Sequence, residues 1–155
     1  ILTLPHLSVL YLHDYILSEE EGAALVAKVE SGTLKTLALK KVYFNDVEQF
    51  FELLEKGRDT IEGLFLYNMH ICSFKNRHDE KSQNERFVEK ITNCTGLIFL
   101  SFHIEYVLTP NDFTKILRNN PNLEEIRYRG PFSQYLSPNC LATLQLFGNC
   151  LKNSC

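Results

Sequence analysis

The chain has 155 residues, 45% of them hydrophobic, with a formal charge of -3 at pH 7. That length suits one domain burying roughly 68–70% of its unfolded surface. The composition excludes a disordered tail, and the charge argues against general attraction to nucleic acid while leaving room for a local basic face. No run approaches the ~20 apolar residues that span a bilayer, and Ile1-Leu2-Thr3-Leu4 has neither the basic start nor the small-residue cleavage site of an export signal. The chain starts without Met, already in the approach to a repeat, so a fragment of a longer chain is expected. Cys72, Cys94, Cys140, Cys150 and Cys155 are odd in number and lack C-x-x-C spacing, which favours reduced thiols and a cytoplasmic or nuclear setting. Asn93-Cys94-Thr95 is the one acceptor-like triplet that points the other way.

Taken in order, the elements repeat. Leu7-x-x-Leu10-x-Leu12 has the alternation of a strand with one buried face, and Ser18 with Glu21 forms a capping box ahead of Leu25 and Val29. Leu34-x-x-Leu37-x-Leu39 follows, then Asp46 as a cap for a helix striped by Val47, Phe50, Phe51 and Leu54, with Gly57 as its stop. Ile61-x-x-Leu64-x-Leu66 precedes a second box, Ser82 with Glu85, before Phe87, Val88 and Ile91, with Gly96 ending that helix. After Leu97-x-x-Leu100-x-Phe102, Thr109 caps, Pro110 takes the first helical position, Phe113, Ile116 and Leu117 form the stripe, and Pro121 stops it. Leu123-x-x-Ile126-x-Tyr128 opens a last unit, whose helix starts at Ser137-Pro138 ahead of Leu141, Leu144 and Leu151.

The starts are 27, 27, 36 and 26 residues apart, the self-similarity of a solenoid. The predicted units are 7–33, 34–60, 61–96, 97–122 and 123–152, in a single domain covering 1–155. The long third interval carries a polar insertion at 73–84, expected as a solvated loop, with a partner-contacting loop as the alternative. Strands joined through helices must be parallel. The expected fold is therefore α/β, about five irregular strand-helix repeats with a curved parallel sheet on the concave side and helices on the convex side.

On these motifs the chain resembles leucine-rich repeat proteins of the intracellular, ribonuclease-inhibitor-like class, over Leu2 to about Leu151. It departs at the position three beyond the last motif Leu. The family places Asn or Cys there; this chain has Tyr15, Val42, Met69, Glu105 and Pro131, so distorted strand-to-helix loops are expected. The resemblance implies a protein-interaction role, and among intracellular relatives substrate capture for a ubiquitin ligase, as in F-box proteins with such repeats.

If the motif residues point inward, the residues between them line the concave face. One column is Tyr11, Ala38, Phe65, Ser101 and Arg127; the next is His13, Lys40, Tyr67, His103 and Arg129. Tyr11, Phe65, Tyr67 and Phe99 supply aromatics, while Lys40, Arg127 and Arg129 make the face basic. The combination suits a peptide or protein carrying acidic groups. The same residues also suit a sheet that stabilises itself through cross-strand pairs. The expected partner-binding set is Tyr11, His13, Lys40, Phe65, Tyr67, Phe99, His103, Arg127 and Arg129. RNA binding through the basic and aromatic face is the alternative, and structural extension or capping of a longer repeat protein is a third.

No phosphate-binding Gly loop, G-x-S-x-G or H-E-x-x-H occurs. His70, Cys72, His78, Cys94 and His103 match no short ligand spacing, so no metal or cofactor is expected. Ser101, His103 and Glu105 alternate on one strand and could share a face, but a polar strand on an open sheet gives the same pattern without catalysis. No enzyme activity is expected.

Overall fold

A computed structural model describes residues 4–69, 80–104 and 108–129. Its five strands are β1 (Val9–Leu17), β2 (Thr36–Phe44), β3 (Gly63–Met69), β4 (Phe99–Ile104) and β5 (Glu125–Arg129). Between them run α1 (Glu19–Glu30), α2 (Val47–Lys56), α3 (Glu80–Thr92) and α4 (Pro110–Asn119). The sheet is wholly parallel, in the order β1-β2-β3-β4-β5, and is not closed into a barrel.

The motif sets the register. Leu10, Leu37, Leu64, Leu100 and Ile126 are successive partners across the sheet, and Leu12, Leu39, Leu66, Phe102 and Tyr128 form the next row. Entry into each strand is also repeated: the carbonyls of Ser8, Lys35, Glu62 and Ile98 each accept two amides from the following unit. The donors are Lys35 and Thr36, Glu62 and Gly63, Ile98 and Phe99, and Glu124 and Glu125, at 2.8–3.2 Å. The 36-residue interval thus leaves Gly63 to Tyr67 in step with Phe99 to His103, because its extra residues fall between β3 and β4.

Most motif residues enter one core, while Leu7, Leu12, Ile126 and Tyr128 pack at its margin. The helices supply the other side through Leu25 and Val29, then Phe50, Phe51 and Leu54, then Phe87, Val88 and Ile91, and finally Phe113 and Ile116. Ring contacts run through this core from Phe44 to Phe50, Phe87, Phe102 and Phe113, with centroids 5.5–6.4 Å apart. Burial of such residues is the main stabilising term, about 1.5–3 kcal/mol for each large side chain.

Three helix starts follow the sequence. Ser18 and Glu21 make a reciprocal capping box, Asp46 accepts from the Glu48 amide at 2.9 Å, and Thr109 pairs with Asp112 ahead of Pro110. The third start differs: α3 begins at Glu80, so Ser82 lies inside the helix rather than capping it. Glu80, Lys81 and Gln83 are good helix formers, which lets the helix begin earlier than the Ser82 signal. Residues 80–84 of the expected polar loop are therefore helical, and 73–79 lie outside the described residues. Gly96 is not the stop of α3, which ends at Thr92. A Cβ at Gly96 would come within 2.9 Å of the Asp59 backbone, so close approach between units explains this glycine. The expected helix from Ser137 also lies outside the described residues.

The missing Asn or Cys position has a structural counterpart. The residue just before it, Asp14, Lys41 and Asn68, has φ of 51°, 50° and 50°. This left-handed residue adds one position to the strand and reverses its alternation. Val42 and Met69 consequently turn into the core, where they are 0% and 2% exposed. The expected distortion is real, but it recurs at the same place in three units. Ile104 in the fourth unit has no such backbone, and the β3–β4 register shifts between Tyr67 and Met69.

Candidate interaction face

Side chains between the motif positions fall on the sheet face opposite the helices, which no described helix covers. Three rows cross it in register. The first is Val9, Thr36, Gly63, Phe99 and Glu125; the second is Tyr11, Ala38, Phe65, Ser101 and Arg127; the third is His13, Lys40, Tyr67 and His103, with Arg129 the backbone partner of His103 on β5. The structure brings all nine expected residues onto this sheet.

Their availability differs. Tyr11 and Phe99 are 56% and 40% exposed, whereas Phe65, Tyr67 and His103 are half-buried. Phe65 lies over Gly63, where an added Cβ would meet its ring at 3.2 Å. Ser101, expected on the surface, is only 5% exposed. The Tyr67 hydroxyl lies 3.0 Å from its Oγ, so the tyrosine belongs partly to the sheet. That contact also commits the hydroxyl of the Ser101, His103 and Glu105 grouping, and Glu105 is outside the described residues.

The face is less basic than its cations suggest. Arg127 donates to the Glu125 carboxylate two positions earlier on β5. His13 Nε2 is 3.0 Å from Asp14 Oδ2, and its ring stacks on Tyr11 at 6.1 Å. Asp14 also meets Lys41 at 3.6 Å. Lys40 has no ion-pair partner among the described residues. Sequence reasoning missed Glu125, although its i, i+2 spacing to Arg127 was the signal for a shared strand face. It also missed the Asp14, Lys41 and Asn68 row, for which no residue type gives a common signal.

The chain matches no family model, no curated protein and no solved structure.

Among the described residues, no group of three or more His, Cys, Asp or Glu could hold a metal ion. Cys94 is buried, with its thiol directed to the carbonyls of Lys90 and Leu54 at 3.2 and 3.6 Å. Burial, with the Asp59 charge second, pushes its pKa up to about 12, the opposite of an activated thiolate. His70, Cys72 and His78 lie outside the described residues. No described helix is long and apolar enough to cross a membrane.

Proposed function

We propose that the units stack as a leucine-rich-repeat solenoid with the open sheet face concave, and that this face is a non-catalytic docking surface for a protein partner. The observation that carries the reading is the exposure of Tyr11 and Phe99, in register with half-buried Phe65 and Tyr67 and near Lys40, which has no ion-pair partner among the described residues, on a face that no described helix covers. Aromatic anchors beside a charge suit desolvated protein contacts. Carboxylates at Glu125 and Asp14, set among the cations, suit a segment of mixed charge better than a polyanion. Capture of substrates for a ubiquitin ligase is the finer form of this reading, drawn from the motif resemblance.

Phe99→Ser with Lys40→Glu is the discriminating pair, because Tyr67→Ala would also uncover Ser101. Affinity capture from cell extract should yield proteins retained by the wild-type chain and lost by the double variant, with unfolding nearly unchanged. Ligase adaptors among them would support the finer role. Identical capture by both chains, or loss on RNase treatment, would overturn the reading.

A further inference from the structure

The repetition across this sheet breaks off at β1, which pairs only with β2. At each interior boundary, a unit donates two adjacent amides to one carbonyl of the unit before it. The equivalent donors in the first unit are Ser8 and Val9, at the open edge, and they find no acceptor among the described residues. Large exposed hydrophobic side chains concentrate here as well. Of those in the described residues, all but Phe99 belong to this unit or the segment leading into it: Leu4, Val9, Tyr11, Tyr15 and Ile16, with Val9 60% and Ile16 67% exposed. Apart from Asp14, this nine-residue edge strand carries no acidic or basic residue except His13 and no proline, and an unpaired edge of that kind is a template for another strand.

Two features specify what that strand is. The Leu7 amide donates to the Leu4 carbonyl, as Leu97 does to Cys94 after α3 and Leu123 to Asn120 after α4. The approach to β1 therefore shares the turn that leads out of α3 and α4 into the next strand. Basic residues on later helices also reach back one unit: Lys56 to Glu30, Lys90 to Glu55 and Arg86 to Glu48. Lys28 on α1 reaches back in the same sense, and its Nζ meets the carbonyl oxygens of Leu4 and Pro5 at 2.6 and 3.3 Å. Those carbonyls stand where a preceding helix would end, and Lys28 is only 8% exposed.

We propose that the β1 edge is an internal boundary, the seat of a further strand-helix unit of the same design joined ahead of Leu4. Its strand pairs in parallel with β1, offering a carbonyl to the Ser8 and Val9 amides, and its helix packs beside α1. This inference is independent of what docks on the open face.

The test extends the chain by a copy of residues 34–60 placed directly before Leu7 in place of residues 1–6, and compares it with the unextended chain. Urea unfolding should remain one transition and become steeper, in keeping with the added buried area. Amide exchange at Val9 should slow by about tenfold or more once the edge is paired. A separate early transition for the added unit, or unchanged exchange at Val9, would overturn the proposal. So would concentration-dependent protection of Val9 in the unextended chain, since the occupant would then be a second copy.

Discussion

The hydroxyls of Tyr67 and Ser101 lie 3.0 Å apart across the β3–β4 boundary, joining an aromatic of the open face to a hydroxyl that is 5% exposed. Removing one partner leaves the other buried without its bond, while removing both does not. Tyr67→Phe should cost about 1 kcal/mol in urea unfolding, and the Tyr67→Phe/Ser101→Ala pair less than the sum of its singles. Additive single effects would show that the hydroxyls are not coupled.

The left-handed backbone at Lys41 and Asn68 predicts different responses to glycine. Lysine pays the Cβ penalty of that conformation, whereas asparagine tolerates it. Lys41→Gly should gain up to about 1 kcal/mol, and Asn68→Gly should change stability little. Chemical denaturation of both variants settles the order, and a larger gain at Asn68 would contradict it.

Burial raises the Cys94 pKa from 9.0 to about 12. A raised folded-state value means that its contribution to stability is complete below about pH 9 and is lost as pH rises toward 12. At pH 9 the folded protein should leave Cys94 unalkylated, and urea should expose it, as mapped by peptide mass. Rapid labelling in the folded state would refute the buried, protonated thiol.

Arg86 holds Glu48 through a bidentate pair at 2.8 and 2.7 Å, and its guanidinium lies 4.3 Å from the centre of the Phe51 ring. The Arg86 hydrogen bond, ahead of its charge, keeps the Glu48 carboxyl below its ordinary 4.5. Its contribution is therefore present above that value and lost as pH falls through the lower folded-state value. Because the pair is exposed, Glu48→Gln should cost less than about 1 kcal/mol at neutral pH, and still less in about 1 M salt. Arg86→Lys should lose most of the same amount, since lysine keeps the charge without the fork. Acid titration of wild type against Glu48→Gln checks the sign.

Two glycines should differ for a steric reason. Gly96→Ala forces a Cβ against the Asp59 backbone, which cannot rotate away, and should cost about 1–3 kcal/mol. At Gly63 the nearest atoms belong to the side chains of Thr36 and Phe65, so Gly63→Ala should cost less. Thermal unfolding of the two variants distinguishes them.

The strand register and three helix starts were legible because their causes are local. A Leu at every second position selects the buried face, and Ser18, Asp46 and Thr109 satisfy amides two or three residues away. The rows of the candidate face followed from the same alternation. The start of α3 was not legible, because helix propensity at Glu80, Lys81 and Gln83 competes with a local Ser82 cap. Which face residues stay available was equally hidden, since Tyr67 meets Ser101 only after two distant segments pair.

By itself, then, the sequence determined the parallel α/β order and the faces on which Leu, aromatic and charged residues fall, through periodicity that any extended strand obeys. Tertiary structure alone decided the burial of Ser101, the close approach at Gly96 and the shared left-handed bend at Asp14, Lys41 and Asn68. Those depend on atoms brought together by neighbouring units, or on a backbone state that Asp, Lys and Asn do not jointly encode.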